Sequence, residues 1–143
     1  MFRHILVPTD LTEHSAGAVQ LAMEMHTNCF SGNEQQEGKI SLLHVIQKVV
    51  EDGDEDFTDF YEDLRARARA KFDEIAPDTR LPVEKHILVG SRVEEIIRFA
   101  QHNQVDLIVL SSHQIDPENP AEGWGTISHK VGILAPCPVM LVK

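Results

Sequence analysis

Five short runs rich in Val, Ile and Leu recur along the chain, at residues 5–8, 40–46, 83–89, 107–110 and 139–142. None alternates cleanly between apolar and polar, and that is how strands buried on both faces read. Helical patterns separate them. Ala18, Leu21, Ala22 and Met25 fall on one face after Thr12, an N-cap residue type. Phe57, Phe60, Tyr61, Leu64, Ala68, Phe72 and Ile75 repeat at three-four spacing. Ser91 with Glu94 forms a capping-box pattern ahead of the stripe Val93, Ile96, Ile97 and Ala100. A fourth, shorter helix is predicted from near Thr126 and must stop before Pro136. Strands that alternate with helices require parallel pairing through right-handed crossovers. The expected fold is α/β: a doubly wound, parallel five-stranded sheet in the order 3-2-1-4-5 with helices on both faces, one domain over residues 1–143.

Charge narrows the partners. Acids outnumber bases 23 to 13, a formal net charge of −10. Binding nucleic acid or an anionic membrane requires clustered Lys and Arg, so neither partner is expected. No apolar run is long enough to cross a bilayer, and no small-residue cleavage site follows the first apolar strand. Two cysteines, Cys29 and Cys137, make no disulfide framework and no Cys-x-x-Cys pair, which points to a reducing, cytoplasmic compartment. Eight acids crowd residues 51–63 without a base, and such a run is read as a solvated surface.

A site in a sheet of this kind lies beyond the carboxyl ends of the strands, where strand order reverses. Two segments are expected to meet there: Pro8-Thr9-Asp10 and Ser111-Ser112-His113-Gln114. Gly125-Thr126 then opens the fourth helix, whose unpaired amides suit an anion.

Four stretches resemble the universal stress protein family: residues 5–10 (ILVPTD), 42–46 (LLHVI), 105–113 (VDLIVLSSH) and 135–142 (APCPVMLV). The resemblance spans nearly the whole chain in order and spacing. It implies a stress-response or signalling module with an adenine-nucleotide pocket. Asp10 would take a ribose hydroxyl, Val45 would present backbone groups to the base, and Gly125-Thr126 would hold phosphate. Pro8, Thr9, Leu110 and Ile127 would wall the base and sugar, with Ser111, His113 and Gln114 in the phosphate loop. AMP, or ATP with Mg²⁺, are the ligands so implied, together with a homodimer formed through the C-terminal edge strand.

The phosphate loop departs from the family's G-x-x-G, nine residues, G-[ST] pattern. Ser111 and Gln114 replace its first two glycines, and ten residues (115–124) precede Gly125. Glycine lets backbone approach phosphate closely; Ser and Gln restrict that approach. No Lys or Arg lies between Phe99 and His129, whereas Asp116, Glu118 and Glu122 do. A weakened triphosphate site is the expectation. His113, Asp116 and His129 lack the close, paired spacing of metal ligands, and His44 reads as a core histidine. With no G-x-S-x-G elbow and no G-x-x-x-x-G-K-[ST] loop, no catalytic residue is assigned. Two other functions remain beside the nucleotide module: a family member acting only through protein partners, and a slow metal-assisted nucleotide hydrolase.

Overall fold

The computed structural model describes residues 2–30, 38–49, 57–76, 83–112, 117–118 and 126–143. Elements alternate throughout: β1 (His4–Pro8), α1 (Glu13–Phe30), β2 (Lys39–Gln47), α2 (Thr58–Ile75), β3 (Val83–Gly90), α3 (Arg92–His102), β4 (Leu107–Ser111), α4 (Ile127–Leu134) and β5 (Val139–Val142). The sheet is five-stranded in the order β3-β2-β1-β4-β5, and every pairing is parallel. The expected topology is the observed one. The acidic run at residues 51–63 and the acids Asp116 and Glu122 lie largely outside the described residues.

Each sheet face is covered by its own pair of helices. Ile5, Val7, Ile40, Leu42, Leu107 and Val109 point to one face, where Ala18, Val19 and Ala22 of α1 and Phe72 of α2 meet them. Leu6, Leu43, Val45, Ile108 and Leu110 point to the other, against Ile96, Phe99 and Ala100 of α3 and Val131 of α4. Neighbouring residues of one strand thus go to opposite cores, which is why the central strands read as continuous apolar runs.

Two helix starts differ from expectation. Thr12 spends its hydroxyl on Asp10 Oδ1 (2.6 Å) instead of on the helix that follows. Ser91 occupies the N-cap of α3, yet its side chain makes no cap bond. The amide of Glu95 is taken by the Ser91 carbonyl, and the Glu95 carboxylate pairs with Arg98.

At the amino end of the sheet, His4 is buried and pins three segments together. Its Nδ1 faces the carbonyl of Asn103 at 2.9 Å, so that nitrogen carries the proton and donates. Nε2 then accepts from the Ser41 hydroxyl at 2.8 Å. Burial is the main force lowering the ring's pKa, against the opposing pull of the Asn103 carbonyl, and it keeps the histidine neutral. None of this lies near the carboxyl ends of the strands, where the cleft opens.

Candidate functional site

Strand order reverses at β1, which has β2 on one side and β4 on the other. Crossovers leave these neighbours in opposite directions, so the helices part above their carboxyl ends and a crevice remains. A cavity of about 340 Å³ occupies it. Its wall from the end of β1 is Pro8, Thr9 and Asp10, continued by His14 and Ser15 of α1. Leu43, His44 and Val45 come from β2, Leu110 and Ser111 from β4. Arg92 and Ile96 of α3 and Thr126, Ile127 and Ser128 at the start of α4 close the sides. Leu43, Val45, Ile96, Leu110 and Ile127 make an apolar interior beneath a polar rim, the usual composition of a small-molecule site.

Backbone strain holds Asp10 at that rim. Leu11 sits in the left-handed region (φ 63°), which costs a non-glycine residue roughly 1–2 kcal/mol. Local bonds compensate: the Leu11 amide donates to Thr9 Oγ1 (3.0 Å), and the Thr12 amide donates to Asp10 Oδ1 (3.0 Å). The Leu11 side chain packs against the α1 core. Burial alone would raise the Asp10 carboxyl's pKa. Hydrogen bonds from the Thr12 hydroxyl and amide and from Ser15, with His14 nearby, outweigh it and hold the carboxyl below the usual aspartate range. Asp10 is ionised at neutral pH, and both Thr12 bonds fall on Oδ1.

The α4 side is rich in hydroxyls that answer one another. Thr126 Oγ1 caps α4 by accepting from the His129 amide (3.3 Å) and lies 3.1 Å from Ser128 Oγ. Ser128 Oγ is 3.3 Å from Ser112 Oγ, which also accepts from Lys143 Nζ at 3.3 Å. Ser111 differs: its Oγ is buried with no hydrogen-bond partner among the described residues.

Eight of the residues expected at the site line this one cavity: Pro8, Thr9, Asp10, Val45, Leu110, Ser111, Thr126 and Ile127. His113, Gln114 and Gly125 lie outside the described residues. Two lining residues overturn expectations. His44, read from sequence as a core histidine, is only half-buried and lines the cavity; its Nδ1–H donates to the Thr9 carbonyl at 2.9 Å. Arg92 was legible only as the first residue of a capped helix. It brings a cation from α3 to a site that the local sequence of β4 and α4 made look devoid of one. Lys143 likewise arrives from beyond β5. Cys137, expected to be a buried packing residue, is half-buried against the α3–α4 core; burial first, then the charge of Asp106, raises its thiol pKa.

This is the architecture of a doubly wound α/β domain with its cavity at the topological switch point. The model of the "Universal stress protein family" matches residues 1–143, and the chain belongs to that family. A curated relative, "Universal stress protein YxiE" of Bacillus subtilis (strain 168), is 28% identical, with all of both chains covered. Among solved structures, "Structure of the universal stress protein from Archaeoglobus fulgidus in complex with dAMP" has a TM-score of 0.60 at 19% identity, covering 99% of this chain and 98% of that one. "Crystal structure of universal stress protein in complex with cAMP" has a TM-score of 0.64 at 17% identity, covering 99% and 97%. At such identities the structures speak for the fold.

Proposed function

We propose that this protein is a stress-response or signalling module whose cleft takes an adenine mononucleotide, with triphosphates bound weakly. The observation that carries the reading is the single cavity shared by Asp10, Val45, Leu110, Ser111, Thr126 and Ile127. In this reading the adenine lies against the apolar interior, and the ionised carboxylate of Asp10 accepts from a sugar hydroxyl. The unmatched Ser111 hydroxyl gains a partner from the ligand. Two family members of the same fold have been solved with cAMP and with dAMP, both adenine mononucleotides.

Size and loop chemistry favour the monophosphate. A volume of about 340 Å³ stands near the lower end of ligand cavities, which run from roughly 300 to 1,000 Å³. The loop that would hold further phosphates has Ser111 and Gln114 where glycines would allow close approach, and acids at 116, 118 and 122. ATP would need Mg²⁺ to offset that charge. Calorimetric titration with adenosine, AMP, ADP and ATP, with and without Mg²⁺, tests this. AMP is expected to bind most tightly of the phosphorylated ligands. Low-micromolar ATP binding contradicts the phosphate argument, and no heat from any of the four contradicts the nucleotide reading.

The partner we propose is a second copy. β5 is an edge strand that pairs with β4 alone among the described residues, and Met140 and Leu141 on it are exposed, as are Ile133 and Leu134 at the end of α4. Edge strands left apolar and open invite pairing. Light scattering should give twice the chain mass for the wild type and the single mass for Leu141→Asp with its circular dichroism unchanged. A monomeric wild type at tens of micromolar rules the dimer out.

A further inference from the structure

We propose that the amino end of the sheet is an acid-sensing element: His4 takes up a proton along the line Glu84–Ser41–His4, and that uptake weakens the fold as pH falls below neutral. The element lies at the end of the strands opposite the cleft, so it stands whether or not the nucleotide reading does. His4 opens β1 and is buried, and its ring is held at both nitrogens, Nδ1 donating to the Asn103 carbonyl and Nε2 accepting from Ser41. The Ser41 hydroxyl has a second acceptor waiting. Glu84, its register partner on β3, places Oε2 3.5 Å away, a long contact as befits an acceptor not in use. One hydroxyl hydrogen thus has two destinations. With His4 neutral it goes to Nε2; with Nε2 protonated, the ring donates to Ser41 Oγ and the hydrogen turns to the Glu84 carboxylate. His4 and Ser41 keep their bonds in both states, which lets a buried group change charge without leaving its place.

Uptake balances as a two-link transfer. A proton arriving at the exposed Glu84 passes to Ser41 Oγ as the Ser41 hydrogen passes to Nε2, leaving a carboxylate, a hydroxyl and an imidazolium. The charges around the ring come from several elements. β2 brings Lys39, 3.6 Å from Glu84, and β3 brings His86, whose Nε2 donates to Glu84 Oε2 at 3.2 Å. The turn into β4 brings Asp106, whose two oxygens already accept from the Arg3 and His4 amides at 2.7 and 3.0 Å. α3 contributes the Asn103 carbonyl and the edge of the Phe99 ring. Burial first, and Lys39 with it, oppose the imidazolium; the Asn103 carbonyl, Glu84 and Asp106 favour it, and the balance lowers the ring's pKa. Burial also works against the Glu84 carboxylate, but the His86 hydrogen bond and the charges of Lys39 and His86 outweigh it and keep that group ionised while His4 titrates. Since the folded ring binds its proton less readily than the unfolded one, its contribution to stability is fully present above about pH 6.5. It is lost as pH falls from there through the folded value.

The test follows the His4 ring by nuclear magnetic resonance and the folding constant by chemical denaturation from pH 8 to pH 5, in the wild type, His4→Gln, Glu84→Gln, Ser41→Ala and the Ser41→Ala/Glu84→Gln pair. In the wild type the ring should carry its proton on Nδ1 at neutral pH and titrate below the ordinary histidine value while the chain stays folded. Below about pH 6.5 the wild-type folding constant should fall by up to tenfold per pH unit more than that of His4→Gln, the slope of one linked proton. Glu84→Gln should lower the His4 midpoint by roughly half a unit or more, because the imidazolium loses its anion. At pH 8 the same variant should change the folding constant by less than about fivefold, since exposed ion pairs contribute little. In the Ser41→Ala background the effect of Glu84→Gln on the midpoint should shrink by at least half. An unaltered pH dependence in His4→Gln overturns the sensor, and a His4 midpoint indifferent to Glu84→Gln overturns the proton line. An undiminished Glu84 effect without the Ser41 hydroxyl overturns it as well. If Ser41→Ala does not fold, the surface variant Glu84→Gln decides the question alone.

Discussion

Replacing Asp10 with alanine is expected to weaken AMP and adenosine alike, by about ten- to a hundredfold, since both ligands carry the sugar hydroxyl and both lose one bond to a charged acceptor. The Asp10 carboxylate has one oxygen held by Thr12 and sits on a turn whose backbone is strained at Leu11. Such strain persists only where surrounding bonds over-determine it, and it collects at functional sites. Asp10→Asn separates geometry from charge. The amide keeps an oxygen for the Thr12 backbone but offers a weaker, uncharged group to the ligand. It should retain the fold's stability more closely than Asp10→Ala and still lose affinity. Calorimetry gives the affinities, and thermal melts of the empty proteins give the stabilities. Unchanged affinity in Asp10→Ala contradicts the sugar contact.

The largest effect on stability is expected at Phe72. Only Ala68 and Phe72 are buried along α2, and Phe72, at 1% exposure, is the largest of the side chains fixing this helix to the sheet, with the partly buried Ile75 beside it in the same core. Truncation to alanine removes its contacts with the core of Ile5, Val7, Ile40 and Leu42 and leaves a cavity. Such changes cost about 3–5 kcal/mol. Against a total stability of roughly 5–15 kcal/mol, that loss brings the domain near its unfolding threshold. Chemical denaturation should show it directly, with the melting temperature lower by roughly 10 °C or more. Phe60→Ala, on the same helix but 47% exposed and in edge contact with the rings of Phe57 and Tyr61, should cost less than about 1 kcal/mol. The cleft lies on the α3–α4 face, so the fraction of Phe72→Ala that remains folded should bind AMP with wild-type affinity. A loss of affinity in that folded fraction would mean the two faces are coupled.

Topology was legible because its signal is distributed. Five unalternating apolar runs and the spacings of Ala18, Phe72 and Ile96 all require the same layered arrangement, and no single residue carries it. The cleft was legible for a related reason. Switch-point geometry and the family resemblance both point to the carboxyl ends of β1 and β4, so Asp10, Ser111 and Thr126 follow from the order of the strands. What sequence concealed was long-range convergence. Arg92 begins a helix on the far side of β2, and Lys143 follows the last strand. Neither belongs to the stretch of residues 99–129, which has no Lys or Arg, yet Arg92 lines the cleft and Lys143 reaches Ser112. His44 has the sequence surroundings of a core residue but the position of a cavity residue. A side chain at the carboxyl end of a central strand points into the space where the helices part, so it lines the cavity instead of joining the core. The missing side-chain caps at Thr12 and Ser91 are subtler, since the carbonyls of both residues accept helix amides while the Thr12 hydroxyl goes to Asp10 and the Ser91 hydroxyl makes no cap bond.

The most direct measurement is a titration of isotope-labelled protein with AMP, followed by amide resonances. Saturable shifts are expected at Asp10, Leu11, Val45, Ser111, Arg92 and Thr126, with Phe72 and the α1–α2 face unmoved. Saturable shifts centred on another surface, or none at millimolar AMP, would contradict a nucleotide site in the cleft above β1.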